Sequence, residues 1–562
     1  MSTGNLLTTD HHVSKLGLSG ALSPVWLVVI AAVIAILPAM LYGVPSNIDL
    51  LNHFRFALPF YDAIQQGNLR PSWLAESNSG YGDASFRFYP PALYYLLAIA
   101  RAISGSWYIG TMSVLVFLSV VGALGVYFWA RQFLPSEISM WAGILYSIAP
   151  YHTNQLYQAF LLAEFAGAAV LPFGFAFVLR VCRRGSPLDI AGLSLCFAVL
   201  ILTHLPLTVI GAVALFVYTV ICLERKNRWS TILRLTSAVL LALAASSFYW
   251  TTMVAELKWI QAYDSQSVEF SQNFLFMTLS PDNLNVWWMN IIFVGTLAMF
   301  WPAFVLLRHW KGQRTQQRTV NGVALLLFVS IFMATPISWP VWKILSPLQQ
   351  VQFPWRWLGV TSMAFAVMLP AALPFWRKQA MGPKRFLALV AAGTFAISLA
   401  FSISHIVREA QYLNARDFDS TLRSISGTEG VWQWWPVWAR TPIRSMNTAV
   451  EAGSRSFVVD SWEPERRVFR VSPGQAGDIR VRTFFYPHWV ATADGASLAV
   501  RPDQDGALLI SIPETAVSVI LEFKEPTRVR VAGYLSLIGW LAIAGLALIN
   551  ARKKSPAIFE VR

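Results

Sequence analysis

The sequence predicts a polytopic α-helical membrane protein of about 12 to 13 transmembrane helices with a C-terminal β-rich domain. Apolar residues make up 56% of the 562 residues and charged residues only 13%, and the mean hydropathy is +0.51. A soluble protein carries about a quarter charged residues. The 24 Trp and 37 Phe residues are typical of a chain that meets lipid headgroups. This composition excludes a soluble enzyme, a disordered protein and a nucleic-acid binder.

Twelve segments are apolar enough to be transmembrane helices, for which about 20 residues are needed. They are residues 21–42, 108–130, 139–150, 159–179, 188–203, 205–223, 232–250, 286–307, 320–335, 357–375, 386–402 and 531–550. Residues 91–103 are also apolar, but at 1.5 Å per residue they reach only about 20 Å, against a hydrocarbon layer of roughly 30 Å. We expect this segment to lie in the interface; a thirteen-span arrangement in which it crosses stays open.

The basic residues predict the orientation of these spans. Clusters of Lys and Arg alternate with loops that hold almost none, and the clusters are Arg180/Arg183/Arg184, Arg225/Lys226/Arg228, Arg308/Lys311/Arg314/Arg318, Arg377/Lys378/Lys384/Arg385 and Arg552/Lys553/Lys554. The positive-inside rule then puts both termini in the cytoplasm. The net charge of +14 is explained by topology, so no nucleic-acid partner is expected.

The predicted domains follow from this orientation. Residues 1–20 form a cytoplasmic tail, 21–403 the transmembrane core with a large first outer loop at 43–107, 404–530 an extracytoplasmic β-rich domain, and 531–562 a last span and a cytoplasmic tail. Fifteen of the 29 acidic residues lie between residues 404 and 528, a stretch too polar for the membrane. From Ser456 its apolar residues alternate with period two, and Asp-Gly turns separate the runs, as in antiparallel strands of a small sandwich.

The first outer loop contains the strongest candidates for a functional site. Asp49 directly follows the first span, and His53, four residues later, shares its face on a helix. A carboxylate beside an imidazole can act as a base, an ion ligand or a phosphate clamp; a capping Asp with a hydrogen-bonded His is the structural alternative. Arg55, Arg87 and Tyr89 are further candidates for substrate binding in the same loop.

Four more polar residues fall on the same side of the predicted membrane. His152 lies in the second outer loop, Glu164 one turn into the next span, His204 at the end of a span, and Arg356 at the mouth of another. An ionisable residue within a span is costly and indicates function. Each has a structural alternative: a His at a helix end, a paired Glu, or an Arg that reaches the interface. Because all face the same side, we expect them to line one cavity.

At these residues the sequence resembles the GT-C superfamily of membrane glycosyltransferases. A closer resemblance is to the membrane proteins described as 6-pyruvoyl-tetrahydropterin synthase-related, which share Asp49, His53, the Gly-Tyr-Gly of residues 80–82, the Phe-Tyr-Pro-Pro of residues 88–91 and the Phe-Pro-Trp-Arg of residues 353–356. The Tyr-Pro-His-Trp of residues 486–489 resembles the β domain of YfhO-like proteins, where Gly more often follows the Pro. A pterin synthase would need a soluble zinc–histidine site, and the sequence shows none.

The resemblance implies an inverting transferase of the bacterial inner membrane with its catalytic face outside the cytoplasm. Asp49 would be the catalytic base, and the partners would be membrane lipid, a polyprenyl-phosphate-linked sugar donor and a glycan or lipid acceptor. The eight other candidates would bind substrate. Many such transferases carry paired acids after the first span, whereas Leu50 follows Asp49 here. A divalent metal stays an open alternative that no paired-acid motif in this loop supports, and the sequence identifies no cofactor.

Two other classes stay open. A transporter or flippase for lipid-linked glycans usually has broken helices and charges at the membrane midplane in matching halves, whereas the ionisable residues here cluster at one face. A non-enzymatic assembly or sensor protein would not need Asp, His and Arg together in one loop.

Overall fold

The computed structural model describes residues 23–47, 49–261, 269–277, 284–297, 300–310, 312–440 and 446–553. It consists of a helical part, which contains most of the chain, and a β sandwich that precedes a last long helix. The predicted fold class, helical with a C-terminal β region, is confirmed. The predicted tails at 1–20 and 554–562 lie outside the described residues.

The helical part begins with twelve helices up to residue 256. They are α1 Pro24–Ala35, α2 Leu37–Tyr42, α3 Leu50–Gln65, α4 Ala92–Ser104, α5 Trp107–Ala130, α6 Ser136–Ser147, α7 Pro150–Tyr157, α8 Leu162–Arg183, α9 Pro187–Thr203, α10 Leu205–Cys222, α11 Arg228–Ala245 and α12 Ser247–Glu256. Nine described helices follow. They are α13 Leu284–Leu297, α14 Phe300–His309, α15 Arg314–Ala334, α16 Trp339–Ile344, α17 Ser346–Gln349, α18 Leu358–Ala380, α19 Arg385–Glu409, α20 Ala415–Ile425 and α21 Thr527–Lys553.

Eight described helical segments are long and apolar enough to cross a membrane: α5, α8, α10, α11, α15, α18 with the short 3-10 turn before it, α19 and α21. The other predicted spans are shorter or interrupted helices. The first is broken at Ile36 between α1 and α2, where Pro38 removes a backbone donor. The segment at 91–103 becomes α4, which packs its Leu93, Tyr94 and Leu97 face inward and leaves Ile103 exposed.

The β region is a sandwich of two antiparallel sheets. Its strands are β3 Val450–Glu451, β4 Phe457–Trp462, β5 Arg466–Val471, β6 Gly477–Phe484, β7 Trp489–Ala493, β8 Ala496–Leu498, β9 Val500–Pro502, β10 Ala507–Ile512 and β11 Val517–Phe523. One sheet has the strand order β3-β6-β10-β9 and the other β4-β5-β11-β7-β8. Alternate residues of both sheets, such as Val481, Ile510 and Val519, are buried in one core. This period-two burial is what the sequence pattern predicts.

The first long loop joins the helical part to the sandwich. Trp73, Tyr81 and Phe88 are buried in the core of the sandwich rather than in that of the helices. Within the helical part, a short ladder between β1 Val44–Pro45 and β2 Tyr412–Leu413 pairs the end of the first span with the segment after α19. Helix α19 continues to Glu409, past the predicted boundary at residue 404. The sandwich is therefore attached to the site-bearing loop at several places.

Candidate functional site

Arg356 and Glu164 form the charged centre of the site. Arg356 lies in the 3-10 turn Pro354–Trp357 before α18, and Glu164 lies in the first turn of α8. Arg356 Nε is 3.0 Å from Glu164 Oε2, and both side chains are largely buried. Arg356 Nη1 donates to the carbonyl of Val351 at 2.8 Å. A buried cation is costly unless it is paired, so the carboxylate and the carbonyl hold the guanidinium in one orientation.

Glu164 is itself held by neutral donors from α7. The Tyr151 hydroxyl donates to Glu164 Oε1 at 2.6 Å, and Gln155 Nε2 donates to the same oxygen at 2.8 Å. His152 lies behind them, stacked between the rings of Tyr146 and Phe165 at centroid distances of 4.3 and 4.6 Å. Its Nδ1 is 3.3 Å from Gln155 Oε1. His152 was predicted to bind substrate, but its ring nitrogen contacts Gln155, which in turn donates to Glu164. It therefore supports Glu164 through Gln155.

Asp49 and His53 approach the same region from α3. Asp49 is the N-cap residue of α3 and is half-buried; its carboxylate contacts Asn52 Nδ2 at 3.4 Å. His53 is buried with Nδ1 3.0 Å from the Tyr94 hydroxyl. Burial lowers the pKa of His53 to about 4, although the charge of Asp49 acts in the opposite direction. The imidazole is therefore neutral near pH 7, and the carboxylate is exposed enough to meet a substrate.

Electrostatic interactions show that these groups share one neighbourhood. Tyr89 interacts electrostatically with both Asp49 and Arg356 and forms a hydrogen bond with Tyr94. His204, between α9 and α10, interacts electrostatically with both Arg356 and His53. Tyr89 and His204 thus join the carboxylate of α3 to the guanidinium before α18. We call the group of Asp49, His53, Tyr89, Glu164, His204 and Arg356 the polar cluster.

Two donors of the polar cluster have no acceptor among the described residues. These are Arg356 Nη2 and His204 Nε2. Arg356 Nη1 donates to Val351, Arg356 Nε is ion-paired with Glu164 at 3.0 Å without hydrogen-bond geometry, and His204 Nδ1 accepts from Leu207. Neither Nη2 nor Nε2 is among the buried side-chain atoms that lack a partner, so both are open to a ligand that supplies an acceptor. The arrangement is suited to an anion.

Arg55 and Arg87 lie apart from the polar cluster. Arg55 follows His53 by two residues, which turns it by about 200° on α3 to the other face. Its Nε has no hydrogen-bond partner in the part of the chain that the structure describes. Arg87 lies between two carboxylates, with Nε 2.6 Å from Glu256 Oε2 and Nη1 2.6 Å from Glu525 Oε1. Its guanidinium is therefore used within the protein, and a phosphate would have to displace a carboxylate.

Glu256 is the centre of this second group, which the sequence does not single out. It also accepts from the Tyr486 hydroxyl at 2.7 Å and from Arg528 Nη2 at 2.7 Å, and His488 Nε2 lies 2.9 Å from Oε1. Burial would raise the pKa of Glu256, but these bonds and Arg87 hold it well below its usual value. An acid soon after a predicted span, the signal that singles out Asp49, also applies to Glu256, which follows the predicted span at 232–250. We call Arg87, Glu256, Tyr486, His488, Glu525 and Arg528 the ionic lock.

Two residues that hydrogen-bond members of the polar cluster cannot be found from composition. Tyr94 and Tyr151 were not predicted, because one aromatic residue among many in an apolar helix carries no functional signal.

No group of three or more His, Cys, Asp or Glu in the described part of the chain is placed to hold a metal ion.

The fold and the polar cluster define a polytopic helical membrane protein with a C-terminal β sandwich and a polar site suited to an anion. Residues 86–413 match the family model described as "6-pyruvoyl-tetrahydropterin synthase related domain; membrane protein". The match covers more than half of the chain, which therefore belongs to this family.

Three solved structures are similar to parts of the chain. ArnT from Cupriavidus metallidurans bound to undecaprenyl phosphate is 12% identical with a TM-score of 0.43, over 72% of this chain and 74% of that one. The oligosaccharyltransferase AglB from Archaeoglobus fulgidus, in complex with an inhibitory peptide and a dolichol-phosphate, is 14% identical with a TM-score of 0.45, over 71% and 57%. The arabinofuranosyltransferase AftD from Mycobacteria is 15% identical with a TM-score of 0.42, over 72% and 27%. No curated protein sequence matches the chain. At these TM-scores the similarities assign no activity to it.

Proposed function

We propose that the chain is an inverting glycosyltransferase that moves a sugar from a polyprenyl-phosphate donor to a glycan or lipid acceptor at the outer face of the bacterial inner membrane. The observation that carries the proposal is the polar cluster. It joins one half-buried carboxylate, Asp49, to one oriented guanidinium, Arg356, whose Nη2 has no acceptor in the described chain.

Asp49 supplies the base. The acceptor hydroxyl attacks the anomeric carbon, its proton passes to the carboxylate of Asp49, and the bond between that carbon and the phosphate oxygen breaks. The electron pair leaves with the polyprenyl phosphate. Because attack and departure occur on opposite faces, the anomeric configuration is inverted. Among the described residues, the Asp49 carboxylate makes one weak hydrogen bond, to Asn52 at 3.4 Å, which leaves it available to accept a proton.

Arg356 supplies the charge that the leaving group needs. The phosphate diester carries one negative charge in the donor and about two after departure. A fixed cation in a partly desolvated site stabilises charge that develops in the transition state. Glu164 keeps Arg356 in place, and Arg can contact phosphate oxygens in a bidentate manner. Tyr89, which interacts electrostatically with both Asp49 and Arg356, is the candidate for contact with the sugar.

The proposal is tested with Asp49→Asn and Arg356→Gln in cells that lack the chromosomal gene, with envelope glycans analysed by mass spectrometry. Purified protein in nanodiscs is tested in parallel for binding of undecaprenyl phosphate. We expect Asp49→Asn to lower transfer by about 100-fold or more, the usual loss for a general base, and to leave carrier binding within about twofold. Arg356→Gln should weaken binding as well, by about tenfold or more.

Asp62→Asn is the matched control, because Asp62 lies near the other end of the same helix α3 and should transfer at the wild-type rate. Unchanged transfer by Asp49→Asn at a normal protein level would contradict the proposed role of the carboxylate. Intact formation of glycosidic bonds together with retention of lipid-linked glycan on the cytoplasmic leaflet would instead favour the flippase alternative.

A further inference from the structure

His204 connects α9 to α10 and caps the second of these helices. Its backbone is extended, with φ −158° and ψ 105°, and its side chain accepts the backbone N–H of Leu207 on Nδ1 at 3.2 Å. Its carbonyl accepts the Thr208 hydroxyl at 2.9 Å. The N-cap position is usually occupied by Ser, Thr, Asp or Asn, which make the same bond with an oxygen. A histidine is unusual there and offers a second nitrogen that the shorter residues lack.

The cap determines which ring nitrogen carries the proton. A nitrogen that accepts an N–H must present its lone pair, so Nδ1 is unprotonated and the neutral ring carries its hydrogen on Nε2. Protonation of Nδ1 would place two donors face to face and break the cap. The positive charge of Arg356 also opposes a charged ring. His204 is therefore a neutral donor with its tautomer fixed by the helix.

The surroundings of His204 place this donor in the polar cluster. A Cβ on Gly167 of α8 would lie 3.5 Å from His204 Cβ and 2.9 Å from Leu207 Cδ2. Gly167 thus allows the start of α10 to lie close to α8, one turn beyond Glu164. The titratable or charged groups that act on His204 are Arg356, from the turn before α18, and His53, from α3. His204 Nε2 has no acceptor among the described residues, and neither has Arg356 Nη2.

We infer that His204 is a substrate-binding residue that donates its Nε2–H, as a neutral group, to the phosphate of the carrier beside Arg356. The inference rests on the proposed function and assigns the phosphate two donors of different kinds. Arg356 contributes charge, and His204 contributes a direction fixed by α10. Because neutral His204 does not titrate while it caps α10, its contribution to carrier binding is independent of pH.

The experiment separates the capping role of His204 from the binding role. His204→Asn keeps an N-cap acceptor for Leu207 but has no group that reaches the position of Nε2, whereas His204→Ala loses both. Full-length wild-type protein and both variants are reconstituted in nanodiscs of phosphatidylethanolamine and phosphatidylglycerol. Undecaprenyl phosphate affinity and thermal stability are measured from pH 5.5 to 8.

We expect His204→Asn to unfold at nearly the wild-type temperature and His204→Ala to unfold earlier, while both bind undecaprenyl phosphate about tenfold more weakly. The ratio of the His204→Asn dissociation constant to that of wild type should stay constant across the pH range. Ionisation of the phosphate itself cancels in this ratio, so a change would report the imidazole.

Three results would overturn the inference. Wild-type affinity in His204→Asn would show that His204 only caps α10. A ratio that grows as the pH falls would show a charged imidazolium at the phosphate. Failure of the wild-type protein to bind undecaprenyl phosphate would contradict the proposed function itself, and this result differs from the other two because it appears without any substitution.

Discussion

Replacing Glu256 by Gln should loosen the attachment between the β sandwich and the helical part, because Glu256 is the shared acceptor of the ionic lock. Its carboxylate is fully buried and binds Arg87 through two hydrogen bonds of 2.6 and 2.8 Å. Tyr486 and His488 reach it from the sandwich side. Gln keeps the shape but loses the negative charge and one acceptor oxygen.

The size of the effect follows from what Arg87 retains. Breaking a buried ion pair costs about 3–5 kcal/mol, because the remaining charge stays buried. Arg87 keeps Glu525 as a second partner at 2.6 Å, and Arg528, whose side chain is 47% exposed, can be hydrated by water. We therefore expect Glu256→Gln to lower the free energy of opening at this junction by about 3 kcal/mol, the lower end of that range.

Hydrogen exchange of backbone amides at the junction measures this free energy. The Phe484 amide, which donates to the Tyr81 carbonyl of the first long loop, and the Val437 amide, which donates to the Trp259 carbonyl just after α12, are direct reporters. Glu522→Gln is the matched control on β11, because its partner Arg466 is 45% exposed. A surface pair contributes about 0–1 kcal/mol. Equal protection in both variants would refute the reasoning.

The pH dependence gives a second check. The pKa of Glu256 is held below its ordinary value of 4.5, so its contribution to stability is complete above about pH 4.5 and is lost as the pH falls through the lowered native value. The difference in protection between wild type and Glu256→Gln should be constant from pH 8 to about 6 and decrease in acid. A difference that increases in acid would contradict the assignment.

Two further substitutions test local geometry. Gly82→Ala should destabilise the protein by about 2 kcal/mol more than Gly67→Ala in thermal unfolding. Both glycines have positive φ, but only a Cβ at residue 82 would meet a neighbour, the indole of Trp73. Equal losses would show that Trp73 moves aside. Gln155→Leu removes a 2.8 Å hydrogen bond to Glu164 and should lower the free energy of unfolding by about 1–3 kcal/mol. It should also weaken undecaprenyl phosphate binding several-fold. Unchanged binding would show that Gln155 is not needed to orient Glu164.

The helical spans and strands were predictable because each depends on a local pattern. Every predicted span corresponds to a helix or to a pair of consecutive helices, since an apolar run of that length buries its backbone polar groups in no other way within lipid. The strands of the sandwich follow the period-two pattern from Ser456 onward. Where helices break, as at Ile36, the sequence carries a local reason in Pro38.

The partners of the charged residues were not predictable in the same way. Glu164 and Arg356 were each identified alone, because placing an ionisable residue in or beside a membrane span costs free energy whatever its partner is. Their pairing depends on how α7, α8 and α18 pack, which no local pattern encodes. Arg87 and Tyr89 stand two residues apart, yet Arg87 joins the ionic lock while Tyr89 joins the polar cluster.

The sequence by itself determined which segments are helices or strands and which polar side chains need a hydrogen-bond or ion-pair partner. Hydropathy patterns and backbone hydrogen bonds within a helix depend on residues that are close in the chain. Only the tertiary structure decided which of those side chains meet. Ion pairs and hydrogen bonds act over about 3 Å between residues far apart in the chain. Among the residues that the structure describes, packing therefore left Asp49 with a weak contact and Arg356 with an unused donor, and it enclosed Arg87 between two carboxylates.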